Sequence, residues 1–214
     1  MSSTVNKKVR KHSDLTEGSI QESLVRMTMP MVIGMLMLFT FSLVDTLFIS
    51  FLGTESLSAI SFTFPVTFTI MSLAIGLGIG ASAVVGKCLG SAELEKAKEA
   101  ATVINYISFG LAVITVGICW FFMEGLFGLM GASEALMLPI REYMDVWFLG
   151  SVLVVCIMTG NSVLRATGDT KTPSIIMAAA GLINAILDPL LIFGYGPFPE
   201  LGIQGAAWAT VAAW

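Results

Sequence analysis

Two aspartates, Asp45 and Asp188, lie inside long apolar runs. An ionisable side chain at the centre of a membrane helix costs about 2.5–3.5 kcal/mol on insertion scales, so the few that persist are the first places to look for function. Asp45 stands eight residues before Gly53 and Asp188 six before Gly194. At 1.5 Å per residue both fall about 9–12 Å from the next loop, at one depth if their helices run the same way. Asn184 precedes Asp188 by one turn and shares its helix face. Thr210 lies at comparable depth in the next apolar run. Pro30 and Pro189 cannot bond the carbonyls of Arg26 and Ala185, so both prolines predict helix kinks with freed acceptors. Two carboxyl groups, an amide, a hydroxyl and spare carbonyls form an oxygen-rich set suited to a proton or Na⁺ and attractive to a cationic molecule. Broken helices of this kind are tolerated where they line a wet cavity.

Other chemistry has little raw material. His12 is the only histidine, and it lies in a polar N-terminal stretch, which leaves no basis for Ser–His–Asp catalysis. Cys88, Cys119 and Cys156 have neither C-x-x-C spacing nor a histidine cluster beside them, so neither a disulfide framework nor a zinc site is indicated. Gly76, Gly78 and Gly80 resemble a phosphate loop only superficially: no Gly-Lys-Thr follows, and close helix packing is the expected role. Asn105 and Asn161 read as helix–helix contacts. No enzyme and no resident cofactor are expected.

The elements that must carry these residues follow from composition. The 214 residues are 56% hydrophobic and only 12% charged, with a mean hydropathy of +0.87. Soluble domains carry about 25% charged residues, and half that cannot clothe a soluble surface. An all-α integral membrane protein is expected, with a cytoplasmic polar tail over 1–23 and a six-span bundle over 24–214. The spans read as about 24–50, 59–86, 101–123, 143–164 and 174–194 at about 20 apolar residues each, plus a sixth at 203–214. That last run covers only about 18 Å of a hydrocarbon core about 30 Å thick, so the sixth helix reads as truncated. Ten of the eleven Lys and Arg residues fall in or beside the tail, the 87–100 segment and the 165–173 loop, and only Arg141 falls on the other side. The rule that cytoplasmic loops are positive places the N-terminus inside. The first apolar run is too long for a signal-peptide core and lacks an A-x-A-like end. A net charge of −4 offers no field for nucleic acid.

Several stretches together resemble one family. Leu164-Arg165-Ala166-Thr167-Gly168-Asp169-Thr170-Lys171-Thr172-Pro173 precedes Asn184-x-x-x-Asp188-Pro189 and then Gly202-x-x-Gly205-Ala206-Ala207-Trp208-Ala209-Thr210. With Pro30, Asp45-x-x-Phe48, Leu52-Gly53 and Gly86-Lys87-Cys88-Leu89-Gly90, these resemble the multidrug and toxic compound extrusion (MATE) transporters over about residues 20–214. Lys87 departs from the glutamine common there. The resemblance implies a six-helix N-terminal lobe of a twelve-helix, two-lobed protein. It implies export of cationic amphiphilic compounds in exchange for H⁺ or Na⁺, across a bacterial inner membrane. It also implies that Asp45, Asn184, Asp188 and Thr210 form the cation site of that lobe, with Na⁺ as a possible ligand. The half-length chain then pairs with a second lobe or a second copy. Two alternatives stand beside this reading: a non-transporting membrane fragment or assembly subunit, and a flippase of lipid-linked precursors with a related fold. The flippase needs basic residues inside its cavity, whereas the intramembrane charges here are acidic.

Overall fold

The computed structural model describes residues 19–214. The expected tail over 1–18, with His12 and four of the basic residues used to orient the chain, lies outside the described residues. Within them the fold is all-helical: α1 Ile20–Ser50, α2 Thr54–Gly90, α3 Leu94–Phe121, α4 Met123–Leu129, α5 Glu134–Ala166, α6 Lys171–Ile192 and α7 Ile203–Ala213. In lipid every backbone polar group needs an internal partner, and a helix provides one within each segment. Five helices (α1, α2, α3, α5 and α6) are long and apolar enough to cross a membrane. At 11 residues, α7 is about 16 Å long and falls short of a span.

Helix ends overrun the apolar windows. α1 begins at Ile20, so residues 20–23 of the expected tail are helical. α2 runs to Gly90 and α3 starts at Leu94, leaving a three-residue turn where a longer charged segment was expected. α5 begins at Glu134, nine residues before the expected fourth span. The reason is common to all three: apolar runs mark the hydrocarbon layer, whereas helical hydrogen bonding continues into the polar interface. The segment between the third and fourth expected spans contains the short helix α4. Gly53 connects α1 to α2 with φ 107°, a conformation that favours glycine.

α5 is the central post. It packs on α2, α3 and α7, burying Met144, Trp147, Phe148 and Val155. Its N-terminal part is tied down by polar contacts: Trp120 Nε1 donates to Asp145 Oδ1 at 3.0 Å, and Arg141 reaches Glu124 at 3.1 Å. On the opposite side, α1 leans almost wholly on α6, and α6 on α7. The free flank of α1 leaves Phe39 70% and Leu43 72% exposed, so one neighbour sets its position.

Small residues make the α1–α6–α7 group close. A Cβ on Gly34 would sit 3.2 Å from the Ser174 Cα, and one on Gly181 would collide with the Phe41 ring. These pairs show α1 and α6 side by side and parallel, Gly34 level with Ser174 and Phe41 with Gly181. A Cβ on Gly205 would collide with the carbonyl of Leu191, which draws α7 against α6. The 193–202 connection folds back on the end of α6, where the Leu201 and Gly202 amides donate to the Leu191 and Ile192 carbonyls at 3.0 and 3.1 Å. That clamp satisfies acceptors that a helix end leaves open. Pro30 and Pro189 both lie inside continuous helices, so neither proline interrupts its element.

Candidate functional site: a carboxylate pair between three helices

The parallel register of α1 and α6 brings Asp45 and Asp188 face to face. Asp188 is fully buried, and Asp45, five residues before the end of α1, is half-buried. Their carboxyl groups come within hydrogen-bonding contact of each other. Asp45 Oδ1 and Asp188 Oδ2 are nonetheless buried without a donor. Both statements describe one arrangement. Two ionised carboxylates are acceptors only, so their contact becomes a bond only when a proton or a cation stands between them.

Asn184 completes the cluster from the preceding turn of α6. Its Nδ2 donates to Asp188 Oδ1 at 3.3 Å and to Thr210 Oγ1 at 3.3 Å. One amide thus links the carboxylate on α6 to the hydroxyl on α7. Thr210 turns towards this cluster, whereas Thr40, Thr46 and Thr69 bond back to carbonyls of their own helices. Its place depends on the Gly205 contact, which draws α7 against α6. The four residues singled out in the sequence therefore meet in one place, supplied by α1, α6 and α7.

A fifth residue belongs to the site and was missed. Tyr143 of α5 is only 8% exposed, and both carboxylates lie close enough for their charges to act on its phenol. A tyrosine at the expected start of a span reads as an interfacial anchor. The structure places it inside because α5 begins nine residues earlier. Its O–H is a donor within electrostatic reach of both carboxylates.

Other residues singled out in the sequence take no part. Asn105 Nδ2 donates to Ala101 of its own helix at 3.0 Å. Gly78 is buried where α2 crosses α5, against the Ser162 hydroxyl, as close helix packing requires, whereas Gly76 and Gly80 are exposed and pack against nothing. Among the described residues no group of three or more His, Cys, Asp and Glu side chains is placed to hold a metal ion. Any Na⁺ here would take two carboxylates and neutral oxygens.

Comparison with known proteins identifies the family of the fold. The family model described as MatE matches residues 30–190. The chain is 48% identical over 200 residues to a protein named FAD transporter from Shewanella oneidensis, covering 94% of this chain and 44% of that protein. It is 30% identical over 190 residues to the multidrug export protein MepA of Staphylococcus aureus, covering 88% of this chain and 41% of that one. A solved outward-facing multidrug resistance MATE family transporter of the MOP superfamily superposes with a TM-score of 0.87 at 32% identity, covering 95% of this chain and 44% of that chain. The chain thus spans less than half the length of the relatives it matches. The family consists of transporters, not enzymes. With its helices in the arrangement of the N-terminal lobe and its sequence matching over most of its length, the chain belongs to the MATE family of multi-pass membrane transporters.

Proposed function

We propose that the chain is the N-terminal lobe of a cation-coupled antiporter, with Asp45, Asp188, Asn184 and Thr210 as the coupling site. The observation that carries this reading is that one carboxylate oxygen on Asp45 and one on Asp188 are buried without a donor. Such a pair alternates between a form neutralised by a cation and a form that repels itself and draws an organic cation. Alternating access couples the two when the lobes rock about the site. The second lobe comes from another segment or another copy.

The proton is the better candidate for the coupling ion. Asn184 presents its N–H end to both Asp188 and Thr210, which suits a site whose missing element is a proton between two oxygens. Na⁺ needs the amide turned so that its oxygen faces inward. The exported molecules are cationic amphiphiles, as an acidic pocket in an apolar wall favours. A second reading, export of FAD, is favoured by the 48% identity to the FAD transporter over 94% of the chain. The distribution of Lys and Arg supports a cytoplasmic N-terminus, and the family resemblance supports a bacterial inner membrane.

The two substrate readings separate in everted vesicles carrying this lobe and its partner. Under an imposed proton gradient, uptake of ethidium without uptake of FAD supports the first, and the reverse supports the second. If neither moves while the protein is present and folded, the chain is a non-transporting subunit and the proposal falls.

A further inference from the structure

A groove of about 550 Å³ runs along α3 where it meets α5, away from the carboxylate pair. It is lined by Thr102, Asn105, Tyr106 and Phe109 of α3 and by Cys156 of α5. The α3 positions recur at three and four residues, so they form one helix face. This face continues towards the α2–α3 turn through Lys98 and Glu95, which pair at 2.8 Å. Beside it Lys96 pairs with Glu93 at 2.7 Å.

Three of the lining residues are polar within the first turns of the apolar part of α3, where unmatched polar groups are costly. Thr102 Oγ1 is already bonded to the Lys98 carbonyl at 2.9 Å. Asn105 uses one N–H on Ala101 and keeps its oxygen and second N–H available. Tyr106 is 75% exposed and its hydroxyl has no partner among the described residues. The order of chemistry along the face is alternating charge, then hydrogen-bonding groups, then aromatic and thiol surface. A phospholipid presents the matching order from headgroup through ester carbonyls to acyl chain.

We propose that this groove seats one zwitterionic phospholipid with a primary-ammonium headgroup, in the leaflet where α2 ends and α3 begins. Charge complementarity selects the headgroup. The edge of the groove carries carboxylates and ammoniums in alternation, with Glu99 as an extra acid. An anionic lipid meets an excess of negative charge there, and a zwitterion meets a partner for each of its charges. The N–H donors of a primary ammonium can bond Glu95 or Glu99 directly, which a quaternary ammonium cannot. The ester carbonyls accept from the Tyr106 hydroxyl and the Asn105 amide, and an acyl chain lies against Phe109 and Cys156.

Native mass spectrometry of the purified protein tests this with an equimolar mixture of phosphatidylethanolamine, phosphatidylcholine and phosphatidylglycerol. The expected result is one retained phosphatidylethanolamine, favoured about tenfold over phosphatidylcholine, the factor for one charge-assisted hydrogen bond. Glu95→Gln combined with Glu99→Gln should reduce that preference to near unity, Tyr106→Phe combined with Asn105→Leu should lower retention of all three lipids alike, and Tyr195→Phe, remote from the groove, should leave both intact. Equal retention of all three lipids, or a preference unmoved by the Glu95 and Glu99 variants, reduces the contact to ordinary solvation and overturns the proposal. So does a dimer mass that disappears with the groove variants, which makes a second copy the occupant. A fluorescence-detected melting curve on each variant separates loss of binding from loss of fold.

Discussion

At the scale of single residues the site is an imbalance of donors and acceptors. Asp45, Asp188 and Thr210 all offer oxygens, and Asn184 is the amide that serves Asp188 and Thr210 together. Asn184→Leu therefore leaves both acceptors short at once. The expected cost is about 1–3 kcal/mol of stability, visible as a lower melting temperature in detergent, with coupled transport impaired beyond what the lost protein explains. Asn184→Asp is expected to be worse for transport, because it adds a third carboxylate to a pair that already lacks a donor. Tyr143→Phe removes a hydroxyl from the same pocket while keeping the ring's packing. We expect near-normal stability and a shifted pH profile of transport, whereas an unchanged profile would place Tyr143 outside the site's chemistry. Asp45, Asn184, Asp188 and Thr210 were legible in the sequence because a charge or amide in an apolar run is conspicuous. Tyr143 was not, because tyrosine is common at membrane interfaces and nothing local marks which way α5 turns it.

At the scale of elements, the positions of α1 and α7 are set by glycines against α6. Phe41 occupies the notch at Gly181, midway between Gly34 and Asp45, and α1 has little else to lean on. Gly181→Ala should push the ring out and cost about 1–3 kcal/mol, as overpacking does. Adding Phe41→Ala to Gly181→Ala relieves the clash, so the double variant should be more stable than the sum of the two single changes predicts. A thermal-melt double-mutant cycle measures that coupling, and simple additivity would mean α1 is held elsewhere. Gly205→Val is expected to be more damaging than Gly181→Ala, since it meets backbone at Leu191, where no flexible side chain can yield. The order of the five long helices was readable from apolar runs, whereas the short α4 was not among the six expected spans. Helix ends were not, because hydropathy reports the lipid layer while hydrogen bonding reports the helix. The intimate pairing of α1 with α6, distant in sequence, has no signature in either run taken alone. Only the carboxylates at matching depth hinted at it.

At the scale of the molecule, the proposed coupling site lies within one lobe, and movement about that site needs a second body. This explains why a chain that spans less than half of its relatives still contains the whole carboxylate cluster. Expressed without a second lobe, the chain should fold, since its core is shared among α2, α3, α4, α5 and α7. It should give no gradient-driven export; transport by a lone monomer would contradict the two-body account. The most direct test of the central claim is dye efflux driven separately by a proton gradient and a sodium gradient, in vesicles carrying both lobes at matched expression. The account predicts that the proton gradient drives export and that Asp45→Asn and Asp188→Asn each bring it to background. Export at the original rate in either variant would contradict it.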